Sequence, residues 1–393
     1  MKSNIYICFL REESGIVGIL NKIRQQCYAI NNLGKESYLI ISRNNSVVLY
    51  KVVNNDLINI SAMEYSKRAC YSEYKNKYLK KLSSFFRLKE FLIFSRKMIK
   101  KINPSSIYIR RIKPVTPQLI KFIKFVSVNK YKCYWEIPTY SNYNYNNEVK
   151  KNLYNRYVNS YIENNVYRIV AVAAEEGLKK PGYIFTTNGV NTNSIKLKDN
   201  IKHNGIHMIC VATFDFWHGY DRLIEGLREY YINGKENKKD IPEVFIHMVG
   251  NGDTQSLQQL SDKYNLNSYI KFHGVLLGKD LDQVFDKMDL AIGNLGFHRV
   301  GVFADTSIKI REYCARGIPF ITALKDSDFP EGTPFVSKVP ADDSAININD
   351  VLKFYSDLSQ NYPNFSSEMR QYAMGKLAWE QKMQFIVGEN RTF

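Results

Sequence analysis

Residues 289–321, DLAIGNLGFHRVGVFADTSIKIREYCARGIPFI, constrain the fold more than any other part of the chain. The apolar run 289–292 is strand-sized, and it opens into a polar, glycine-rich turn that carries His298 and Arg299. Asp305, Thr306 and Ser307 are residue types that cap helix N-termini. Ile308, Ile310, Tyr313 and Cys314 follow at a spacing that suits one helix face. Gly317 and Pro319 stop that helix, and 320–323 resume as a strand. Strand, loop, helix, strand is the unit of a parallel sheet, whose ligands bind beyond the carboxyl ends of the strands. The helix N-terminus, with Lys309 and Arg311 in its first turn, is therefore a candidate anion site.

The same alternation runs through the second half of the chain, with strands expected at 207–212, 244–249 and 270–272 and helices at 220–231, 255–264 and 281–288. In the first half, a strand at 4–10 leads through a turn containing Ser14, Gly15 and Gly18 into a helix with Ile19, Ile23, Cys27 and Ile30 on one face, and then a strand at 39–41. Gly15 is the candidate ligand-facing residue of that turn. The turn lacks the Gly-x-Gly-x-x-Gly fingerprint, so a nicotinamide or flavin cofactor is not expected. Further strands are expected at 46–53, 106–110, 133–137 and 168–173. Glu136 ends its strand just before the tyrosine-rich turn EIPTYSNYNYNNE, where it suits either chemistry or a cap for the next segment. The polar, aperiodic stretch 191–204 marks a domain boundary. The chain thus reads as a domain at 1–190 and a second at 191–375, with a terminal helix at about 376–393 returning to the first.

At 393 residues and 45% apolar content, the chain has material for two cores. No apolar run approaches the roughly 20 residues of a membrane span, and MKSNIYICFL passes into REES without a signal-peptide cleavage site. The expected location is cytoplasmic, peripheral on the inner face of the plasma membrane. Cysteines at 8, 27, 70, 133, 210 and 314 are too scattered for a zinc site or a disulfide framework, and no metal is expected. The net charge of +17 belongs to the first half, where residues 1–190 hold 32 Lys+Arg against 12 Asp+Glu. Its densest part, 78–113, interleaves Lys80, Lys81, Arg87, Lys89, Arg96, Lys97, Lys100 and Lys101 with Leu79, Leu82, Phe85, Phe86, Phe91 and Phe94. Three readings fit: a solvated helix whose apolar face is core, a helix lying on an anionic membrane surface, or a single-strand nucleic-acid site. The membrane surface is the partner expected here, and nucleic acid is not.

Four stretches in series resemble retaining GT-B glycosyltransferases. VATFDFWHGYDRLIEGL is similar to the first strand, loop and helix of their C-terminal domain, HMVGNGD to the second strand and glycine turn, KFHGVLLGKDL to the nucleobase loop, and TSIKIREYCARGIPFI to the nucleotide-binding helix. Upstream, TTNGV resembles the end of their N-terminal domain, and EIPTYSNY a turn of capsule and surface-polysaccharide members. The resemblance implies an α/β GT-B fold of two doubly wound, Rossmann-like parallel-sheet domains facing across a cleft. It also implies a nucleotide-sugar donor held by the C-terminal domain, a glycan or lipid-linked glycan acceptor on the basic N-terminal domain, and no cofactor.

By the same resemblance, a lysine commonly stands at the position of His218 and an arginine near Thr213; both cations are missing here. The charge that develops on a diphosphate leaving group must then be met by Arg299, Lys309 or Arg311. Of the family's two glutamates, Glu312 matches the one that binds ribose, and Ala304 occupies the place of the other. Glu136, His218, Arg299 and Lys309 are thus the catalytic candidates. Gly15, Thr213, Gly250, Val275, His298, Asp305, Thr306, Ser307, Ile308 and Glu312 are the substrate-binding ones. Each has a bland competitor: a turn cap for His218, a surface position for Glu312, a structural ion pair for Arg299. A nucleotide-sugar epimerase, a nucleic-acid-binding protein and a catalytically dead scaffold are the competing functions.

Overall fold

The computed structural model describes residues 2–10, 17–70, 76–140, 153–173, 175, 177–236 and 241–388. These fall into two compact units, one drawn from 1–173, 177–187 and 379–393, the other from 174–176 and 188–378.

The first unit is built on an eight-stranded sheet in the order β4-β3-β2-β1-β5-β6-β7-β8. Its strands are β1 Ser3–Cys8, β2 Glu36–Ser42, β3 Ser46–Val53, β4 Asp56–Glu64, β5 Ser106–Arg110, β6 Lys132–Ile137, β7 Arg168–Val172 and β8 Tyr183–Thr186. From β2 to β8 all pairs are parallel, whereas β3 and β4 extend the β2 edge as an antiparallel hairpin. Asn54 and Asn55 turn that hairpin with φ of 51° and 58°, a conformation that short polar side chains tolerate. Sequence patterning gives no sign of β4, because an edge strand leaves Ile58 and Ile60 about half exposed and so has no burial period to display.

Helices α1 Val17–Asn32, α2 Lys77–Ile102, α3 Pro117–Val128 and α4 Leu153–Asn165 cover the sheet. Along α2, Leu88, Phe91, Leu92, Phe94 and Ile99 pack with Ile5, Ile7, Ile107 and Trp135. Most of the aromatic face of the basic segment is therefore core. What α2 leaves exposed is Tyr78, Leu79 and Leu82 in its first turns, beside Lys81, and Ile93 further along.

The second unit has a six-stranded, wholly parallel sheet in the order β11-β10-β9-β12-β13-β14. The strands are β9 Ile206–Phe214, β10 Val244–Gly252, β11 Ile270–Gly274, β12 Leu290–Ile292, β13 Phe320–Thr322 and β14 Val336–Lys338. Between them run α5 Tyr220–Glu236, α6 Thr254–Lys263, α7 Gly278–Phe285 and α8 Ile308–Arg316, with α9 Ile348–Asn361 and α10 Phe365–Tyr372 after the last strand. Strand β9 shows the alternation a doubly wound sheet demands. Met208 and Cys210 join the core under α5, and Ile209 joins the one under α8. Chain order reverses between β9 and β12, and this switch point opens a crevice at their carboxyl ends.

The tail does not run as one helix. After α10 the chain makes a single π turn at Ala373–Leu377 and straightens at Ala378 (ψ 142°) before α11, Trp379–Lys382. Trp379 is buried in the first unit, where its indole N–H donates to Gln25 at 2.8 Å. Strand spacing in the second sheet sets a further constraint at Gly250. With φ at 141°, a Cβ there would lie 1.8 Å from the Ala212 carbonyl oxygen. Gly250→Ala should therefore destabilise the protein by about 2–4 kcal/mol, through overlap and backbone strain together. Urea titration of the two proteins measures this.

Candidate active site

The crevice between β9 and β12 is closed at its floor by two loops touching backbone to backbone. Asp215 accepts the Phe216 N–H at 2.8 Å and sets a short 3-10 turn, Phe216–His218, that ends on left-handed Gly219. A Cβ on Gly219 would sit 2.5 Å from the Gly296 nitrogen, and Leu295 N–H donates to the His218 carbonyl at 2.9 Å. Arg222, fully buried on α5, locks the contact by donating to the carbonyls of Leu295, Ser344 (2.7 Å) and Pro340 (3.0 Å).

The amino end of α8 opens into this crevice region. Asn188 holds it through its side-chain N–H donated to the Thr306 carbonyl at 2.7 Å and its backbone N–H donated to the Thr306 hydroxyl at 3.3 Å. Ser307 occupies the N-cap yet makes no side-chain cap bond, so the first N–H groups of α8 lack the partner that a cap supplies. In the first turn of α8, the Lys309 ammonium donates to the Tyr220 hydroxyl at 2.9 Å. Burial pushes Lys309 down to about 8, against the weaker opposing pull of Cys210 and Asp305. His218 stacks on the Tyr220 ring, centroids 5.7 Å apart and planes within 10°. Desolvation, then the nearby Lys309 charge, lowers its imidazole to about 4, so it is neutral at physiological pH. Its Nδ1 is buried and makes no hydrogen bond among the described residues. The buried Asn294 side-chain oxygen, just past β12, is likewise unpartnered. Burial raises the Asp305 carboxyl, against the lowering pull of Arg311. Glu312, half-buried on the next turn of α8, has its carboxyl raised by desolvation, only partly countered by Arg316.

The other candidate cations are engaged. Arg299 grips Asp221 with two N–H groups, at 2.9 and 2.7 Å, donates to Asp343 at 2.7 Å and to the Phe216 carbonyl at 2.7 Å. His298 shares Asp343, at 3.2 Å. Arg311 is a fully buried partner of Asp326 and Asp328, and donates to the Asn188 carbonyl at 3.1 Å and the Ser307 carbonyl at 3.3 Å. Thr213 and Val275 are exposed at the ends of β9 and β11, Ile308 is half-buried at the start of α8, and Gly250 is occupied with strand packing. Gly15 lies outside the described residues. Sequence reading missed Tyr220, Arg222 and Asn294. The first two read as ordinary helix residues, and only the fold brings Lys309 to Tyr220 and the carbonyls of Leu295, Pro340 and Ser344 to Arg222.

In the first unit, Glu136 is the hub of a buried polar network. Tyr108 and Gln26 donate to one carboxylate oxygen at 2.8 and 2.9 Å, while Arg110 donates to the other at 2.6 Å, with Lys22 3.7 Å away. Burial alone would raise its carboxyl, but the Lys22 and Arg110 charges and these hydrogen bonds outweigh it and hold it down at about 2. A carboxylate so fully occupied is built for stability.

Among the described residues, no group of three or more His, Cys, Asp or Glu could hold a metal ion, and no helix is long and apolar enough to cross a membrane. No family model and no curated protein matches the sequence. Solved structures do. Sucrose-phosphate synthase from Thermosynechococcus elongatus superposes with a TM-score of 0.63 at 13% identity, over 98% of each chain. WaaG, a glycosyltransferase involved in lipopolysaccharide biosynthesis, gives 0.57 at 10% over 98% of this chain and all of its own. The catalytic domain of starch synthase IV from Arabidopsis thaliana, bound to ADP and acarbose, gives 0.60 at 8% over 98% of each. The chain has the GT-B fold. At these identities the likeness is one of fold.

Glu136→Gln tests the hub. Removing the charge leaves Lys22 and Arg110 buried without it and should cost about 3–5 kcal/mol at neutral pH. Because the folded carboxyl is held at about 2, below its ordinary 4.5, that contribution is complete above pH 4.5 and fades as pH falls towards 2. Denaturation midpoints of the two proteins should therefore converge in acid.

Proposed function

We propose that the protein is a metal-independent glycosyltransferase that moves a hexosyl group from a nucleotide-sugar donor to a lipid-linked or polysaccharide acceptor in surface-glycan synthesis, with retention at the anomeric carbon. The observation that carries this reading is the desolvated Lys309 ammonium at the amino end of α8, in the switch-point crevice of a GT-B fold.

In such a transfer the bond between the anomeric carbon and the diphosphate breaks, and the leaving oxygen takes the electron pair. Catalysis then requires fixed positive potential where that charge grows. The uncapped N–H groups of α8 and the Lys309 ammonium supply it, in the role of the cations missing at Thr213 and His218. His218, neutral, contributes one N–H donor. Arg299 already faces two carboxylates, so it works by holding the loop after β12 against the one after β9. Glu312, one turn beyond Lys309, accepts hydrogen bonds from the ribose hydroxyls, and Val275 borders the base.

Lys309→Met should lower kcat about 10²–10³-fold, and His218→Ala much less. In the wild type, kcat/KM should fall as pH rises through about 8, where Lys309 gives up its proton. Lys309→Arg should move that limb to higher pH. Glu312→Ala should weaken binding of the matching nucleoside diphosphate by about 2–3 kcal/mol with the fold intact, read by calorimetry. An unchanged alkaline limb in Lys309→Arg would remove the central assignment.

The acceptor side rests on charge. The first half carries the basic excess, and α2 exposes Tyr78, Leu79 and Leu82 near Lys80 and Lys81, a combination suited to an anionic bilayer surface. Each basic residue near such a surface contributes about 1 kcal/mol, falling off within a Debye length. The protein should sediment with anionic vesicles at low salt, be released by about 0.5 M salt, and ignore neutral vesicles. Replacing Lys80, Lys81, Lys97, Lys100 and Lys101 by Gln should abolish sedimentation while leaving transfer to a short soluble acceptor intact.

A further inference from the structure

Three of the six histidines lie on adjacent strands of the second sheet, with His203, which precedes β9, beside the first of them. His207 on β9 meets His247 on β10 through Nδ1 and Nε2 at 2.9 Å, and His247 meets His273 on β11 through its own Nδ1 and Nε2 at 2.9 Å. His207 Nε2 lies 3.0 Å from the Asn204 carbonyl. We propose that His207, His247 and His273 form a proton-counting ladder across three strands, which holds one extra proton with its hydrogen bonds intact and frees the edge strand β11 when it takes a second.

The argument is one of valence. A carbonyl only accepts, so His207 Nε2 carries a proton. In the neutral ring its Nδ1 is then a lone pair, which requires a proton on His247 Nε2. The same step leaves His247 Nδ1 as an acceptor and puts a proton on His273 Nε2. Three neutral rings thus have one permitted pattern, all Nε2–H, and the single unused acceptor is His273 Nδ1. A proton added there, or relayed inward by shifts across either gap, leaves one hydrogen in each N···N gap. A second has no free site. It places two hydrogens in one gap, which turns a hydrogen bond into a repulsion at 2.9 Å.

The surroundings keep the ladder neutral near pH 7. Burial lowers all three rings, His247 to about 3, and Lys271 and Lys287 add to this. On the other side, Asp289 accepts the His207 backbone N–H at 2.8 Å and the Tyr355 hydroxyl at 3.0 Å, and lies 3.6 Å from His203, whose ring stands edge-on to His207. Phe245 stacks on the His207 ring and Tyr269 packs against Phe245, neither adding charge. Rings that refuse protons when folded and accept them near 6.5 when unfolded contribute stability that is complete above about pH 6.5 and is lost as pH falls towards 3. Among the described residues, strand β11 pairs only with β10, and it ends on His273 and Gly274, directly before Val275. On the transferase reading above, that loop borders the base, so acid would loosen donor binding.

The test uses the full chain labelled with nitrogen-15 histidine. At pH 7.5, three ring systems should show the Nε2–H pattern. Between pH 7.5 and 5, amide protection factors over 270–274 should fall at least tenfold, and affinity for the nucleoside diphosphate the protein binds should fall with them. In His247→Phe, and in His273→Gln as a second variant that leaves the buried centre in place, the fall should shrink severalfold. An Nδ1–H pattern in any of the three rings, or an undiminished fall in His273→Gln, would overturn the ladder. Nucleotide affinity that ignores pH while 270–274 opens would overturn the coupling to the loop. A chain that binds no nucleoside diphosphate at any pH, yet shows the ring pattern and the opening, would sink the transferase reading and leave the ladder standing.

Discussion

Gly219 and Gly296 meet at a distance no other residue pair permits, and the crevice is arranged around that contact. The reversal of chain order between β9 and β12 separates the loops that follow them, and the glycines bring those loops back together at their base. Arg222 fixes the closure by donating to three carbonyls, those of Leu295, Ser344 and Pro340. From there the order of dependence is clear. The 3-10 turn sets His218 over Tyr220, Tyr220 receives Lys309, and Lys309 sits where the amino end of α8 adds its own potential.

The buried charges of the protein separate by how completely they are answered. Arg311 has Asp326 and Asp328, Glu136 has Arg110 with Tyr108 and Gln26, and Arg299 has Asp221 and Asp343. Such groups hold their charge at any ordinary pH and have little interaction left to offer a ligand. Lys309 differs, because a phenol hydroxyl is its hydrogen-bond partner and burial works against its charge. A group kept in that state gains most when an anion arrives, which is the physical basis for preferring it to the two arginines. The histidine ladder follows a third course, in which neutral rings satisfy one another and only an added proton disturbs them.

Much of the architecture was legible in the chain. The strand and helix periods of the second half, the start of α8 after Ser307 and the Gly317 stop appear in the structure close to where their patterns place them, since those patterns record burial on one face. The antiparallel edge was not legible, because β4 buries too little to impose a period. The tail misled for a different reason: Met369, Ala373 and Leu377 keep helical spacing through a π turn, and Ala378 then straightens the chain before Trp379.

Sequence by itself determined the class of the protein, two α/β sheets with an anion-suited helix end in the second. It could not decide which remaining cation is available, since availability depends on partners far along the chain. Asp221 and Asp343 lie 78 and 44 residues from Arg299, and Tyr220 lies 89 from Lys309. Nor could it align His207, His247 and His273, which are separated by 40 and 26 residues and meet only because parallel pairing sets their strands side by side, His207 opposite Phe245 and His247 opposite Lys271, so that each ring reaches one two residues beyond its paired position. Local pattern dictates what a segment becomes; only the folded sheet decides which charges and rings end within 3 Å of one another, because that distance is set by strand order and loop contact.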